Sequence, residues 1–165
     1  MRIYVPATTT QLRELLDTGV LGSAPVTAFA VTPALREWYV DDDIEELEYA
    51  AMLEAARASL RLLDADPGAA RRRVVVAAEV PDPLVTVRDD LERGVVRVAE
   101  PVAKTQVASV HMDDDDAEAA VAAAAEVIVP ADLGDSSAQQ VVDDAEGFEL
   151  SWYATQEIGP LLELL

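Results

Sequence analysis

The sequence contains no cysteine. That absence excludes disulfides, thiolate catalysis, zinc–thiolate sites and iron–sulfur clusters, because each of these needs cysteine sulfur. The seven glycines are isolated from one another, so neither a P-loop nor a dinucleotide-binding glycine pattern is present. No G-x-S-x-G turn of the hydrolase type occurs either. The sequence lacks the common signatures of redox enzymes, zinc proteins and nucleotide-binding enzymes, and we expect no cofactor and no bound metal.

Positive charge is scarce and unevenly placed. Residues 105–165 contain fourteen Asp and Glu and no Lys or Arg. A second acidic block, residues 41–66, has nine acids against Arg57 and Arg61. The net charge of −20 repels DNA, RNA and anionic membranes. We therefore expect no nucleic-acid or membrane partner, and the partner that such a surface favours is a basic protein. Charge alone says nothing about the oligomeric state.

The length and hydropathy of the chain predict a single globular domain over residues 1–165. Apolar residues make up 51% of the sequence, which is enough to bury a core of ordinary size. The opening residues, MRIYVPATTT, lack the apolar core of a signal peptide. The longest apolar run, residues 117–131, is too short to span a bilayer and contains Glu118 and Glu126. These features predict a cytoplasmic location.

Hydrophobic patterning predicts five strands and leaves two further segments open. The predicted strands cover residues 2–6, 27–32, 73–80, 94–100 and 106–112. The apolar run within residues 73–80 does not alternate, which favours a central strand covered on both faces. Residues 84–88 have the length of a short edge strand, and residues 148–156 fit either a strand or a helix.

Helical periodicity is strongest between Asp43 and Asp66, where Asp43 and Glu46 have capping-box spacing. The apolar stripe that we expect this long helix to turn toward a sheet consists of Tyr49, Leu53, Ala56, Leu60 and Leu63. Two late helices are predicted over residues 117–128 and from Ser136 or Ser137 to Gly147. The predicted fold class is α+β, a two-layer sandwich in which a mixed sheet of five to six strands carries the long helix and the two late helices.

The candidate chemistry lies where a strand meets a helix, in the segment Ser109 to Asp116. His111 is the only histidine, and beside carboxylates such as Asp113 it could act as a base or bind a hard cation. Ser109 and His111 lie two apart on one strand, so we expect parallel side chains that do not converge. The structural interpretation is that Asp115 and Glu118 form a capping box and that the acids complement the helix dipole.

The segment from Trp152 to Glu157 is a candidate binding surface. If it is a strand, Tyr153, Thr155 and Glu157 share one face and Trp152 lies on the other. The structural interpretation buries Trp152 and leaves Thr155 and Glu157 in solvent. The functional interpretation makes this segment a sheet edge or pocket wall that a partner uses.

Several stretches of the chain together carry a resemblance to a known family. They are RIYVPAT, TAFAVTPALREWY, EELEYAAMLEAARASLRLL, RRRVVVAAEVPD and DLGDSSAQQVVDDAEGFELSWYATQEI. Over nearly its full length the chain resembles a family of uncharacterised actinobacterial proteins, a domain of unknown function. The resemblance implies an actinobacterial, cytoplasmic, single-domain protein and no particular activity.

Two functions remain open from the sequence. The first is a non-enzymatic protein-interaction or regulatory module with an acidic binding face. The second is a small enzyme or ligand-binding protein with a pocket near His111 and Asp113–Asp116. A buried His111 that converges with a carboxylate in a cleft would favour the second, and an acidic face beside an apolar patch would favour the first.

Overall fold

The computed structural model describes residues 1–39 and 43–165. The strands are β1 Arg2–Ala7, β2 Val20–Leu21, β3 Val26–Phe29, β4 Val74–Glu79, β5 Val85–Val87, β6 Val95–Val98, β7 Val102–Ala103, β8 Val107–Met112 and β9 Ser151–Tyr153. The helices are α1 Thr9–Thr18, α2 Pro33–Trp38, α3 Ile44–Ala65, α4 Glu118–Asp132, α5 Ser136–Glu146 and α6 Ile158–Glu163. The α+β class and the long helix are confirmed.

Within the described residues, seven strands form one antiparallel sheet in the order β5-β6-β3-β1-β4-β8-β9. The prediction of a mixed sheet with five to six strands is therefore wrong. The count rises because both segments left open by the sequence, residues 84–88 and 148–156, contain strands, and these strands are the two edges. A separate antiparallel ribbon joins β2 to β7.

Helices cover both faces of the sheet, so the two-layer arrangement is also wrong. Alternate residues of β4 enter opposite cores: Val74 and Val76 pack with α1 and α6, whereas Val75 and Ala77 pack with α3. This confirms that β4 is a central strand covered on both sides. The non-alternating apolar run of its sequence follows from that position.

Helix α3 is fixed to the sheet by polar as well as apolar contacts. The Ser59 hydroxyl donates to the Ala7 carbonyl at 2.8 Å and accepts from the Val74 N–H at 3.1 Å. Near the other end of α3, the Tyr4 hydroxyl donates to the Glu48 carboxylate at 3.4 Å. Burial, with the nearby Glu48 carboxylate, raises the pKa of Tyr4 to about 12. These contacts fix which side of α3 faces the strands.

The two late helices form a core of their own with the C-terminal half of α3. Leu60 and Leu63 of α3 pack with Val121 and Ile128 of α4, and Val142 of α5 joins the same cluster. The expectation that the late helices lie on the sheet is wrong, because their apolar faces meet α3 and each other. They cover the C-terminal half of α3, whereas Tyr49 and Leu53 in its N-terminal half are 49% and 42% exposed.

Candidate functional site

Asp113 lies in a buried ion pair with Arg73. One carboxylate oxygen accepts from the Arg73 backbone N–H and from Nε, both at 2.8 Å, and the other accepts from Nη2 at 2.7 Å. Both side chains are almost completely buried. The same Nη2 donates to the Phe148 carbonyl at 2.9 Å, which ties the chain before β9 to the sheet. With its oxygens occupied and out of solvent, Asp113 stabilises the fold rather than facing a ligand.

The capping interpretation of Asp115 and Glu118 is wrong. A 3₁₀ turn, Asp115–Ala117, precedes α4, and the N-cap position falls on Ala117, which has no side-chain acceptor. Glu118 instead pairs with Arg72 at 3.0 Å. The neighbouring Asp114 accepts from the Ser151 hydroxyl at 2.8 Å. Among the described residues, no group of three or more His, Asp and Glu side chains is arranged to hold a metal ion.

Ser109 and His111 do converge, contrary to the expectation from their spacing. The Ser109 hydroxyl lies 3.1 Å from Nε2 of His111, because two side chains on one strand face can lean toward each other. Ser109 itself is only 5% exposed. His111 pairs with Trp152 across the β8–β9 ladder. The Ser109 hydroxyl and the His111 imidazole are therefore in contact, whereas Asp113 is paired with Arg73 and not with His111.

His111 should titrate below its ordinary pKa of 6.5, because burial lowers its pKa first and Arg2 lowers it second. The depressed pKa means that neutral His111 stabilises the fold fully above about pH 6.5, and that this contribution is lost as pH falls through the folded pKa. Arg2→Gln should raise the His111 pKa, and Arg13→Gln, at an exposed position of α1, should leave it unchanged. NMR titration of the sole imidazole measures this directly. A His111 pKa at or above 6.5 would be the opposite result.

The predicted binding segment, Trp152 to Glu157, is a strand only as far as Tyr153. β9 is an edge strand of three residues, and Trp152 is 61% exposed on it. The interpretation that buries Trp152 is therefore wrong. Tyr153 packs against the core, and Thr155 donates to the Val107 carbonyl at 3.1 Å. Glu157 is exposed in a 3₁₀ turn, so the strand alternation does not reach Thr155 and Glu157.

The structure reveals a surface that the sequence interpretation missed, on the N-terminal half of α3. Tyr49 and Leu53 belong to the stripe predicted to be buried, yet they are 49% and 42% exposed. With Tyr39, they line an open groove of about 540 Å³, and its other lining residues in the described part of the chain are Ala50 and three acids. We name this the acidic aromatic groove. Its lining residues are Tyr39, Asp43, Glu45, Glu46, Tyr49, Ala50 and Leu53.

The charged residues that line this groove in the described part of the chain are all acidic. Asp43, Glu45 and Glu46 are all exposed at the start of α3, and the first base of the helix is Arg57. Glu54 lies farther along the helix, where burial first and then Glu92 raise its pKa. Exposed aromatic and aliphatic side chains therefore sit directly beside acidic ones.

The three consecutive arginines are engaged within the fold. Arg71 donates to backbone carbonyls at the end of α3, Arg72 pairs with Glu118, and Arg73 pairs with Asp113. Their side chains therefore stabilise the end of α3 and the start of β4.

A family model described as a family of unknown function (DUF6912) matches residues 1–162. The chain belongs to this family. Because the family's function is unknown, DUF6912 membership brings no activity and no site residue to the chain. No curated protein and no solved structure matches it. None of the helices in the described part of this DUF6912 chain is long and apolar enough to cross a membrane.

Proposed function

We propose that this DUF6912 protein is a non-enzymatic interaction or regulatory module that binds a basic protein segment in the acidic aromatic groove. The observation that carries the proposal is the exposure of Tyr49 and Leu53 on a stripe whose later residues are buried. Helical spacing of this kind normally marks a face that is covered. Here α4 covers the C-terminal half of the stripe, and the N-terminal half stays partly exposed, where a partner can bind.

The groove offers apolar surface to a partner. Fully burying a leucine-sized side chain stabilises by about 1.5–3 kcal/mol. Tyr49 and Leu53 are already about half buried, so each offers roughly half of that amount. The aromatic residues Tyr39 and Tyr49 are of the kind that is enriched at interface cores. The groove therefore supplies apolar anchoring, and its carboxylates select the partner's charge.

The partner's chemistry follows from charge complementarity. A second copy of the chain carries the same net charge of −20 and is repelled, as are nucleic acids. A segment with Lys or Arg beside apolar residues matches both the acids and the exposed ring and leucine. Attraction of this kind acts mainly on the association rate and weakens as salt rises.

The alternative is a small enzyme or ligand-binding protein, and the Ser109–His111 contact is the observation that favours it. A hydroxyl within 3.1 Å of an imidazole is the start of a nucleophile–base pair. Against it, Ser109 is 5% exposed and Asp113 is committed to Arg73 rather than to His111. Covalent labelling of Ser109 by a fluorophosphonate probe, lost in His111→Ala, would support the enzyme instead.

Peptide display against the purified protein tests the proposal. Selection on the wild type should enrich peptides that carry Lys or Arg beside aromatic or aliphatic residues. The Leu53→Asp variant should lose this enrichment, because a carboxylate replaces the central apolar contact. Leu133→Asp adds the same charge at a position that is 84% exposed and remote in sequence, so it should retain the enrichment. Identical selections on wild type and Leu53→Asp would contradict the proposal.

A further inference from the structure

A small cavity adjoins the acidic aromatic groove, between α3 and the chain that leads from α5 into β9. Its volume is about 130 Å³, and Tyr49 and Leu53 line both the cavity and the groove. Met52 and Ala56 of α3 form more of its apolar wall, facing Phe148 and Leu150. We name this the anchor cavity. Because Tyr49 and Leu53 are shared, a segment that contacts them in the groove would also contact a wall of the cavity.

The walls of the anchor cavity are held in place by contacts within the fold. The Phe148 carbonyl accepts from Arg73 Nη2 at 2.9 Å, and the Phe148 N–H donates to the Ala145 carbonyl at 3.1 Å. Arg73 is itself fixed by Asp113. The cavity therefore exists before a ligand arrives, which lowers the entropic cost of binding.

The size of the cavity selects one side chain. An apolar protein cavity of about 150 Å³ accepts a molecule of the size of benzene. A cavity of about 130 Å³ thus matches a single aromatic or long aliphatic side chain. Three charged residues also line it: Arg73, which is paired with Asp113, and the exposed Glu146 and Glu149. Glu146 also faces Arg57 at 3.6 Å, which leaves Glu149 as the better site for a new cation.

We propose that the anchor cavity takes one aromatic or long aliphatic side chain of the basic partner, while a neighbouring Lys or Arg of that partner contacts Glu149. This inference rests on the proposed function and specifies the ligand motif: an apolar residue next to a basic one. The remaining apolar residues of the partner lie along Tyr49 and Leu53 in the groove.

The test uses two blocked tripeptides, acetyl-Lys-Phe-Arg-amide and acetyl-Lys-Ala-Arg-amide. Their binding to the wild-type protein is measured from the shifts of its backbone amide signals in NMR titrations. The phenylalanine peptide should give saturable shifts at Ala56, Phe148 and Leu150. The alanine peptide should bind about tenfold more weakly or worse, because it leaves the cavity empty. Equal affinity for the two peptides, or no saturable shift at those residues, would overturn the inference.

Two variants separate the cavity from the groove. Ala56→Met fills the cavity and should abolish the preference for phenylalanine. Since Ala56 is buried, that variant can fail to fold, and Glu149→Gln provides a surface alternative. Glu149→Gln should weaken the phenylalanine peptide several-fold and flatten its salt dependence, and Glu14→Gln, at an exposed position of α1, should change neither. If Glu45→Gln in the groove weakens the peptide and Glu149→Gln does not, the anchor site is wrong and the groove proposal stands. Glu45 and Glu46 line the groove and not the cavity. If the cavity shifts appear but display selects the same peptides on wild type and on Glu45→Gln/Glu46→Gln, the proposed function fails and the cavity remains.

Discussion

Asp113→Ala is expected to lower the free energy of unfolding by about 3–5 kcal/mol, because it leaves the buried Arg73 guanidinium without its carboxylate. Three hydrogen bonds between the two residues would be lost together. The hydrogen bond from Arg73 Nη2 to the Phe148 carbonyl would weaken as well, because Asp113 orients the Arg73 side chain. Urea denaturation followed by circular dichroism measures the change.

A neighbouring carboxylate provides the matched control. Asp115 is exposed and does not cap α4, so Asp115→Ala should stay within about 0.5 kcal/mol of the wild type. The double variant Arg73→Met/Asp113→Leu should lose less stability than Asp113→Ala, because no unpaired charge remains buried. Equal losses in Asp113→Ala and Asp115→Ala would contradict a stabilising role of the buried Arg73–Asp113 pair.

Leu60→Ala is expected to cost about 2–5 kcal/mol of stability, and Leu53→Ala, seven residues earlier on the same stripe, about 0.5 kcal/mol or less. Leu60 is fully buried among α3, α4 and α5, whereas Leu53 is 42% exposed beside the groove. The two substitutions remove the same atoms, so their difference reports only how far each position is covered. Thermal and urea unfolding of both variants give the comparison.

Similar losses at the two leucines would contradict this picture of α3. A large loss at Leu53 would mean that the N-terminal half of the stripe contributes to the fold of the isolated chain. A small loss at Leu60 would mean that the helices α4 and α5 are not packed on α3 as described. In either case the acidic aromatic groove would lose its basis.

Much of the fold is predictable because the inner elements have strong local patterns. The apolar run in β4, Val74–Glu79, identifies the central strand without tertiary information. The helical periodicity sustained over Ile44–Ala65 identifies the long helix in the same way. The segments that stayed open, residues 84–88 and 148–156, contain the edge strands β5 and β9. An edge strand is covered less completely and its sequence pattern is correspondingly weaker, so its assignment depends on the neighbour it pairs with.

The candidate site is less predictable, because periodicity tells which residues share a helix face and not what covers them. Tyr49 and Leu60 belong to one stripe, but only the presence of α4 decides that one is buried and the other exposed. Glu45 and Glu46, in the first turn of α3 a few residues before Tyr49, are a sequence signal of an exposed end. The Arg73–Asp113 ion pair is equally unpredictable from local sequence patterns, since its two residues lie forty positions apart.

Calorimetry with a peptide selected on the wild-type protein tests most directly whether the exposed half of the α3 stripe is a binding surface. The compared proteins are wild type, Leu53→Ala and Leu133→Ala, in which the last truncates an exposed leucine elsewhere. We predict that Leu53→Ala weakens binding about tenfold or more, that Leu133→Ala binds like the wild type, and that added salt weakens all complexes. Equal affinity in all three proteins, or binding that is indifferent to salt, would contradict a basic partner in the acidic aromatic groove.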